Sequence, residues 1–300
     1  MVGRTRLTDD DMPKGRESES ANVARFLPRV AERHPENIAA RIPKGRRLDG
    51  SIQYQSLTFA ELNSDSDACA RFLLNAGVQR ATRVLVMVRP GLDLLLVCFA
   101  LFKIGAIPIV IDPGMKLRRF LACVRQARPE AMVGIRMAHA LAWFRRNAFR
   151  KVGIRVMTGT RKFSQAIEQF RSQEPLAPVQ VETDELAAIL FTSGSTGPPK
   201  GVCYEHGMFD SQVRLIKERY RISWGEVDLT TLPIFGLFNP ALGITTVVPE
   251  FNPGRPAKAD PSKLVQAILE RKIKKSIKDI SNPEKYVNDI WNKVSKKCKG

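Results

Sequence analysis

The sequence alternates between helical and extended patterns, and this alternation limits the folds open to the chain more than any other feature. Apolar residues recur at helical spacing in residues 23–30, whereas residues 83–89 and 186–191 are short apolar runs typical of strands. When strands alternate with helices, the strands usually pair in parallel and the helices cover the faces of the sheet. We therefore predict an α/β fold with mostly parallel sheets flanked by helices. Further strands are expected near residues 131–135, 154–158, 229–234 and 244–248, and further helices near residues 116–127, 137–148 and 207–219.

The most apolar stretch, residues 92–111, does not have the pattern of a membrane span. Lys103 and Pro108 interrupt it, and its clean portion, residues 94–102, is far shorter than the roughly 20 apolar residues that a span needs. We predict a buried helix followed by a strand, and no transmembrane segment.

The two ends of the chain differ from its middle in composition. Residues 1–20 are charged and contain no apolar run, so we expect a mobile N-terminus that is neither a secretory signal nor a membrane anchor. Residues 271–300 hold nine Lys and one Arg against three acids, which indicates a Lys-rich tail foreign to the rest. Residues 21–270 are predicted to form the domain between them, with residues 171–184 as a surface linker inside it.

The formal net charge of +18 raises the question of a nucleic-acid partner. The tail at residues 271–300 carries +7 of this charge, and runs of like charge are usually solvated and unspecific. We therefore expect no nucleic acid, although a basic tail that binds nucleic acid or an anionic surface stays open as an alternative.

The cysteines indicate a reducing compartment. All five are widely separated and none belongs to a Cys-x-x-Cys pair, which argues against a disulfide framework and against a zinc site. A cytoplasmic location is the expectation.

One loop has the chemistry of a phosphate-binding site. Residues 186–191 lead directly into residues 192–200, TSGSTGPPK, where two glycines let several backbone N–H groups face one side and short hydroxyls add further donors. Lys200 then supplies a compact cation that can reach a bound anion. The loop is not a Walker A motif, because Pro199 stands where the second glycine belongs and Gly201 follows the lysine in place of Ser or Thr.

The loop instead resembles the signature of the adenylate-forming ligases, a superfamily of acyl- and aryl-CoA synthetases, luciferases and peptide-synthetase adenylation domains. The resemblance extends over residues 20–270. It includes residues 57–62 (LTFAEL) and residues 102–113 (FKIGAIPIVIDP), and residues 86–90 and 232–243 look most like the olefin-biosynthesis branch, whose enzymes form β-lactones. The fold it implies is a partial N-terminal large domain of such a ligase.

The resemblance implies that a carboxylate oxygen attacks the α-phosphorus of ATP, giving an acyl-adenylate and pyrophosphate. It implies ATP and Mg²⁺ as cofactors and a fatty acid or 3-hydroxy fatty acid as substrate. Phe235 and Gly236 match the segment that lines the acyl pocket in the family, although residues 232–238 have equally the pattern of core. The residues implied to bind ATP are Thr192, Ser193, Gly194, Ser195, Thr196, Gly197 and Lys200.

The chain also departs from the family pattern. After Gly243 the family continues through a Tyr-Gly-x-Thr-Glu motif, whose Glu holds magnesium, to a C-terminal domain with a catalytic lysine, and none of these motifs occurs here. No catalytic residue is identifiable, and a truncated, impaired enzyme is expected, as is association with itself or with other lipid-pathway enzymes. A nucleotide-binding module without turnover is the alternative.

Overall fold

The structure is a computed structural model that describes residues 20–171, 173–191, 200–230 and 235–250, together with residues 262, 263, 266 and 267. Its helices are α1 Phe26–Arg33, α2 Phe59–Asn75, α3 Leu92–Lys103, α4 Leu117–Ala127, α5 Arg136–Phe144, α6 Arg161–Arg171, α7 His206–Tyr220 and α8 Asn239–Leu242. Its strands are β1 Ile38–Arg46, β2 Ile52–Thr58, β3 Arg83–Met87, β4 Ile107–Ile111, β5 Ala131–Gly134, β6 Ile154–Met157, β7 Leu186–Phe191, β8 Gly201–Glu205, β9 Val227–Leu229 and β10 Thr245–Val247.

The larger sheet has six strands in the order β6-β5-β3-β4-β7-β8. All neighbours pair in parallel except β7 and β8, which are antiparallel. Helices α2, α3 and α6 pack on one face, called the α3 face, and α4 and α5 pack on the other, called the α5 face. The predicted α/β class with mostly parallel, helix-flanked sheets is confirmed.

A smaller sheet joins distant parts of the chain. Its order is β2-β1-β10-β9, and β1 pairs in parallel with β10 through Ala40 and Thr246. The sequence analysis found β10 but not the β1–β2 hairpin. Strand β1 contains Pro43 and Gly45, which are poor strand formers, so its extended form depends on pairing with both neighbours.

Helix α2 begins with a capping box, in which Thr58 and Glu61 each bind the other's backbone N–H. The Thr58 hydroxyl accepts a hydrogen bond from the Glu61 backbone N–H (3.1 Å), and the Glu61 carboxylate accepts one from the Thr58 N–H (2.8 Å). A Ser or Thr followed three residues later by Glu predicts this capping box. The helix is thereby fixed at the end of β2.

Lys103, the charged residue within the most apolar stretch, forms a buried ion pair that joins α3 to α2. The Lys103 ammonium is fully buried, pairs with the Asp67 carboxylate, and donates a hydrogen bond to Oδ1 of Asn63 (2.8 Å). Burial lowers the pKa of Lys103, and the attraction of Asp67 opposes that shift. Helix α3 is thus a core helix, as predicted, and no described helix is both long and apolar enough to cross a membrane.

The structure describes the predicted internal linker, but not most of the N-terminus or the tail. Residues 173–185 contain no helix or strand, but Val179 and Val181 fasten this linker by backbone hydrogen bonds to Lys103 (2.8 Å) and Ala21 (3.1 Å). Ser20, which the sequence placed in the mobile N-terminus, accepts a hydrogen bond from the Val181 N–H (3.1 Å). Residues 1–19 and the tail at 271–300 lie outside the described residues.

Helices α6 and α8 and strand β8 were not predicted, and strand β9 was placed inaccurately. Helix α6 has apolar residues at helical spacing that could have revealed it, whereas β8 is an antiparallel strand that strand–helix alternation does not predict. Strand β9 is Val227–Leu229 where residues 229–234 were expected, and residues 231–234 lie outside the described part.

Candidate functional site

The predicted phosphate loop connects two paired strands. Strand β7 ends at Phe191, β8 begins at Gly201, and these two residues face each other in the antiparallel ladder. Residues 192–199 lie outside the described residues, so the roles predicted for Thr192, Ser193, Gly194, Ser195, Thr196 and Gly197 stay predictions. The structure does place both ends of their loop at the carboxyl edge of the parallel strands, where ligands of α/β sheets usually bind.

Close packing holds the two ends of the loop together. A Cβ atom at Gly201 would lie 2.7 Å from Cζ of Phe191 and 3.2 Å from Cγ2 of Ile189. Only glycine therefore fits at the start of β8 without displacing a buried ring. Lys200, the next residue toward the loop, is exposed and forms no ion pair with the residues that the structure describes.

The turn after β4 lies beside the start of the loop. The backbone N–H of Asp112 donates to the carbonyl of Phe191 (3.0 Å), and the Asp112 carboxylate accepts a hydrogen bond from the Gly114 N–H (2.8 Å). A carboxylate therefore stands next to the loop entry. The sequence analysis quoted this segment only for its resemblance and gave Asp112 no role.

An apolar cavity of about 120 Å³ lies under the β7–β8 hairpin. Leu190 of β7 lines it two residues before the loop begins, which corresponds to about 7 Å along a strand. The other lining residues come from several distant segments, which is why the sequence did not reveal them: Val23, Cys98, Phe102, Pro108, Val110, Ala188, Tyr204, Phe209, Gln212, Leu237 and Phe238.

The predicted pocket residues lie at the edge of this cavity. Phe235 and Gly236 open a short 3-10 turn, and the next two residues, Leu237 and Phe238, line the cavity. Gly236 packs against the smaller sheet instead, because a Cβ there would lie 2.9 Å from Cγ2 of Thr246. The pocket role of Phe235 and Gly236 stays a prediction.

His206 opens α7 as a buried, neutral imidazole. Burial lowers its pKa from 6.5 to about 4, and the carboxylate of Glu185 opposes this shift. Its ring meets that of Phe102 edge to face at 6.4 Å, and its Nδ1 is buried without a hydrogen-bond partner among the described residues. Its ring therefore packs into the core at the start of α7.

A second, larger cavity of about 720 Å³ lies at the carboxyl ends of β3, β5 and β6. The chain leaves β3 and β5 in opposite directions along the sheet, so the cavity occupies the switch point of the topology. Arg89, Asp93 and Arg136 border it, and burial raises the pKa of Asp93. Strand β4 separates this cavity from the predicted loop, and the sequence analysis did not find it.

The described residues contain no cluster of potential metal ligands. No group of three His, Cys, Asp or Glu side chains comes together anywhere in the part of the chain that the structure describes. Asp112 is a single carboxylate near the loop, and Mg²⁺ in such sites usually also needs substrate phosphates and waters as ligands. No step is therefore assigned to a metal held by these residues.

The parallel sheet, the two ends of the predicted loop at its carboxyl edge and the apolar cavity beside Leu190 define an α/β protein with a candidate site for an anionic ligand. A family model described as AMP-binding enzyme matches residues 27–251, and the chain belongs to that family. Membership of the adenylate-forming ligases, predicted from the loop, is confirmed.

Comparison with individual proteins agrees with this assignment. The chain is 42% identical to an olefin beta-lactone synthetase of Xanthomonas campestris pv. campestris, over 85% of this chain and 47% of the relative. The N-terminal domain of FACL13 from Mycobacterium tuberculosis shares the fold, with 19% identity, a TM-score of 0.68, and coverage of 83% of this chain and 60% of that one. ATP-bound MatB from Rhodopseudomonas palustris also shares the fold, with 22% identity, a TM-score of 0.65, and coverage of 84% of this chain and 48% of that one. The chain spans about half the length of the curated relatives it matches.

Proposed function

We propose that this chain binds ATP and a fatty acid, preferably a 3-hydroxy fatty acid, for the formation of an acyl-adenylate. The observation that carries the proposal is that Leu190, two residues before the predicted phosphate loop, lines the apolar cavity. An acyl chain held in the cavity would direct its carboxylate past Leu190 toward the loop. The 42% identity to a beta-lactone synthetase supports the choice of a 3-hydroxy acid.

The chemistry joins two anions, which repel each other. A carboxylate oxygen forms a bond to the α-phosphorus of ATP, the bond from that phosphorus to the bridging oxygen breaks, and pyrophosphate leaves. Hydroxyls, backbone N–H groups and a cation must therefore offset the charge of the triphosphate. The proposed groups are the hydroxyls of Thr192, Ser193, Ser195 and Thr196, the backbone at Gly194 and Gly197, and the ammonium of Lys200. Magnesium would share this neutralisation, and no cluster of three potential protein ligands for it comes together among the described residues.

The cavity sets a limit on what the described residues can hold. Sites for small molecules usually enclose about 300–1,000 Å³, whereas this cavity has about 120 Å³. It therefore takes only a short part of an acyl chain, and a long-chain acid must extend beyond it. Phe235, whose neighbours line the cavity, is proposed to border that extension.

Removal of Lys200 tests the proposed nucleotide site. We expect Lys200→Ala to weaken binding of ATP and of pyrophosphate at least tenfold while leaving fatty-acid binding unchanged, because the side chain stands at the loop and not at the apolar cavity. Isothermal titration calorimetry with each ligand measures both effects. Lys162→Ala is the matched control, since it removes the same charge from an exposed site on α6. Equal losses for ATP and fatty acid would contradict the assignment.

The alternative is a nucleotide-binding module without turnover. Carboxylate-dependent exchange of pyrophosphate into ATP separates the two functions. We propose that exchange requires the remaining half of a full-length relative, added as a second polypeptide, and that the two associate. Exchange by the single chain would refute the proposal of an impaired enzyme.

A further inference from the structure

One surface of the protein carries positive charge without compensation. Residues 115–157 contain eleven Arg and Lys and a single acid, Glu130. Glu130 is already paired with Arg83 of β3 at 3.0 Å. The eleven cations are all exposed, and none forms an ion pair with any residue that the structure describes: Lys116, Arg118, Arg119, Arg125, Arg128, Arg136, Arg145, Arg146, Arg150, Lys151 and Arg155.

The fold gathers these residues on the α5 face. Val124 of α4 and Ala142 of α5 pack into the same cluster as Met132 of β5, so both helices lie over one face of the sheet. Arg155 of β6 is in register with Met132 and therefore projects to that face as well. The segment after α5, with four further cations, continues the same layer through buried Phe149.

Large apolar side chains stand exposed among the charges. The exposed fraction is 70% for Met137, 56% for Trp143 and 73% for Phe144. The rings of Trp143 and Phe144 meet edge to face at 4.7 Å, and the guanidinium of Arg146 lies 5.4 Å from the Trp143 ring centre. The eleven cations and these three side chains are called the basic aromatic surface.

We propose that the basic aromatic surface binds a membrane that contains anionic lipid. Basic residues are attracted to the negative surface of such a membrane, and aromatic and other apolar side chains enter the boundary between headgroups and acyl chains. A second copy of the chain is a poor occupant, because a symmetric contact would place eleven cations against eleven. The phosphates of a nucleic acid would attract the cations, but a nucleic acid would not bury the apolar side chains of Met137 and Phe144 together.

Sedimentation with lipid vesicles tests the proposal on the full 300-residue chain. Vesicles of phosphatidylcholine alone are compared with vesicles that also contain phosphatidylglycerol. We expect binding only to the anionic vesicles, a blue shift of the Trp143 emission that is absent in Trp143→Phe, and at least a tenfold weaker binding for the double variant Arg145→Glu/Arg146→Glu. The variant Trp143→Ala/Phe144→Ala should also weaken binding, which simple charge attraction would not require.

The matched control is Arg161→Glu/Lys162→Glu, which changes the net charge by the same amount on α6, at the α3 face. The Lys-rich tail is identical in all variants, so differences between them report the folded surface. Equal weakening by the control and by Arg145→Glu/Arg146→Glu would overturn the proposal, as would absence of vesicle binding. Binding of a DNA duplex that is lost only in Arg145→Glu/Arg146→Glu, without vesicle binding, would assign the surface to nucleic acid instead. All of the substituted side chains are exposed, so unfolding, checked by circular dichroism, is not expected.

Discussion

Substitution of Gly201 by alanine tests how the loop is held at its exit. The new Cβ would lie 2.7 Å from Cζ and 3.0 Å from Cε1 of Phe191, and 3.2 Å from Cγ2 of Ile189. Carbon atoms pack favourably at about 3.5–4.0 Å, so the ring or the strand must move by several tenths of an ångström. Phe191 is only 2% exposed and has little room to give way.

The expected cost of Gly201→Ala is that of an overpacked core, about 1–3 kcal/mol in the free energy of unfolding. If β8 moves instead of the ring, Lys200 moves with it, and the affinity for ATP falls as well. Urea denaturation measures the first effect and calorimetric titration with ATP the second. The control is Gly153→Ala, where a Cβ would meet no atom within 4 Å.

A second substitution separates steric conflict from a general effect of alanine. Phe191→Leu removes the two ring atoms that lie nearest the new Cβ, so the double variant Gly201→Ala/Phe191→Leu should be more stable than the sum of the two single changes predicts. The reasoning is refuted if Gly201→Ala changes stability by less than about 0.5 kcal/mol and leaves ATP binding intact.

Two further predictions concern the buried charges and the buried imidazole. Lys103→Met should destabilise the protein by about 3–5 kcal/mol because it leaves Asp67 buried without a partner, and Lys103→Met/Asp67→Leu should cost less than the two single changes added together; additive costs in urea denaturation would show that the pair is not coupled. For His206, burial lowers the pKa in the folded state from 6.5 to about 4, so the unfolded chain binds a proton first as the pH falls and stability is lost. Between about pH 7.5 and about pH 5 the wild type should lose about 2 kcal/mol more than His206→Gln, and identical pH profiles of the unfolding midpoint would contradict this.

Local signals in the sequence predicted the parts of the fold that local signals control. The alternation of short apolar runs with helical spacing predicted the parallel sheet, and the spacing of Thr58 and Glu61 predicted the start of α2. The position of the loop after residues 186–191 followed from the same reasoning. Each of these features depends on residues close together in the chain.

The features that were missed depend on residues far apart. Strand β1 is extended because β10, more than 200 residues later, pairs with it, and its own proline and glycine argue against a strand. The cavity under β7 is built from α3, β8, α7 and the turn before α8, so no single segment announces it. The packing of Gly236 against Thr230 and Thr246 likewise depends on residues of other segments.

The pairing of β1 with β10 has a consequence for synthesis of the chain. The hydroxyl of Thr245 donates to the carbonyl of Ile38, and these residues are 207 positions apart. At about 5–20 residues per second, a ribosome needs about 10–40 s after Ile38 to produce Thr245. Throughout that interval the β1–β2 hairpin has a strand edge without its native partner. An unpaired edge recruits other strands, so until β10 is made this hairpin is exposed to pairing with another chain.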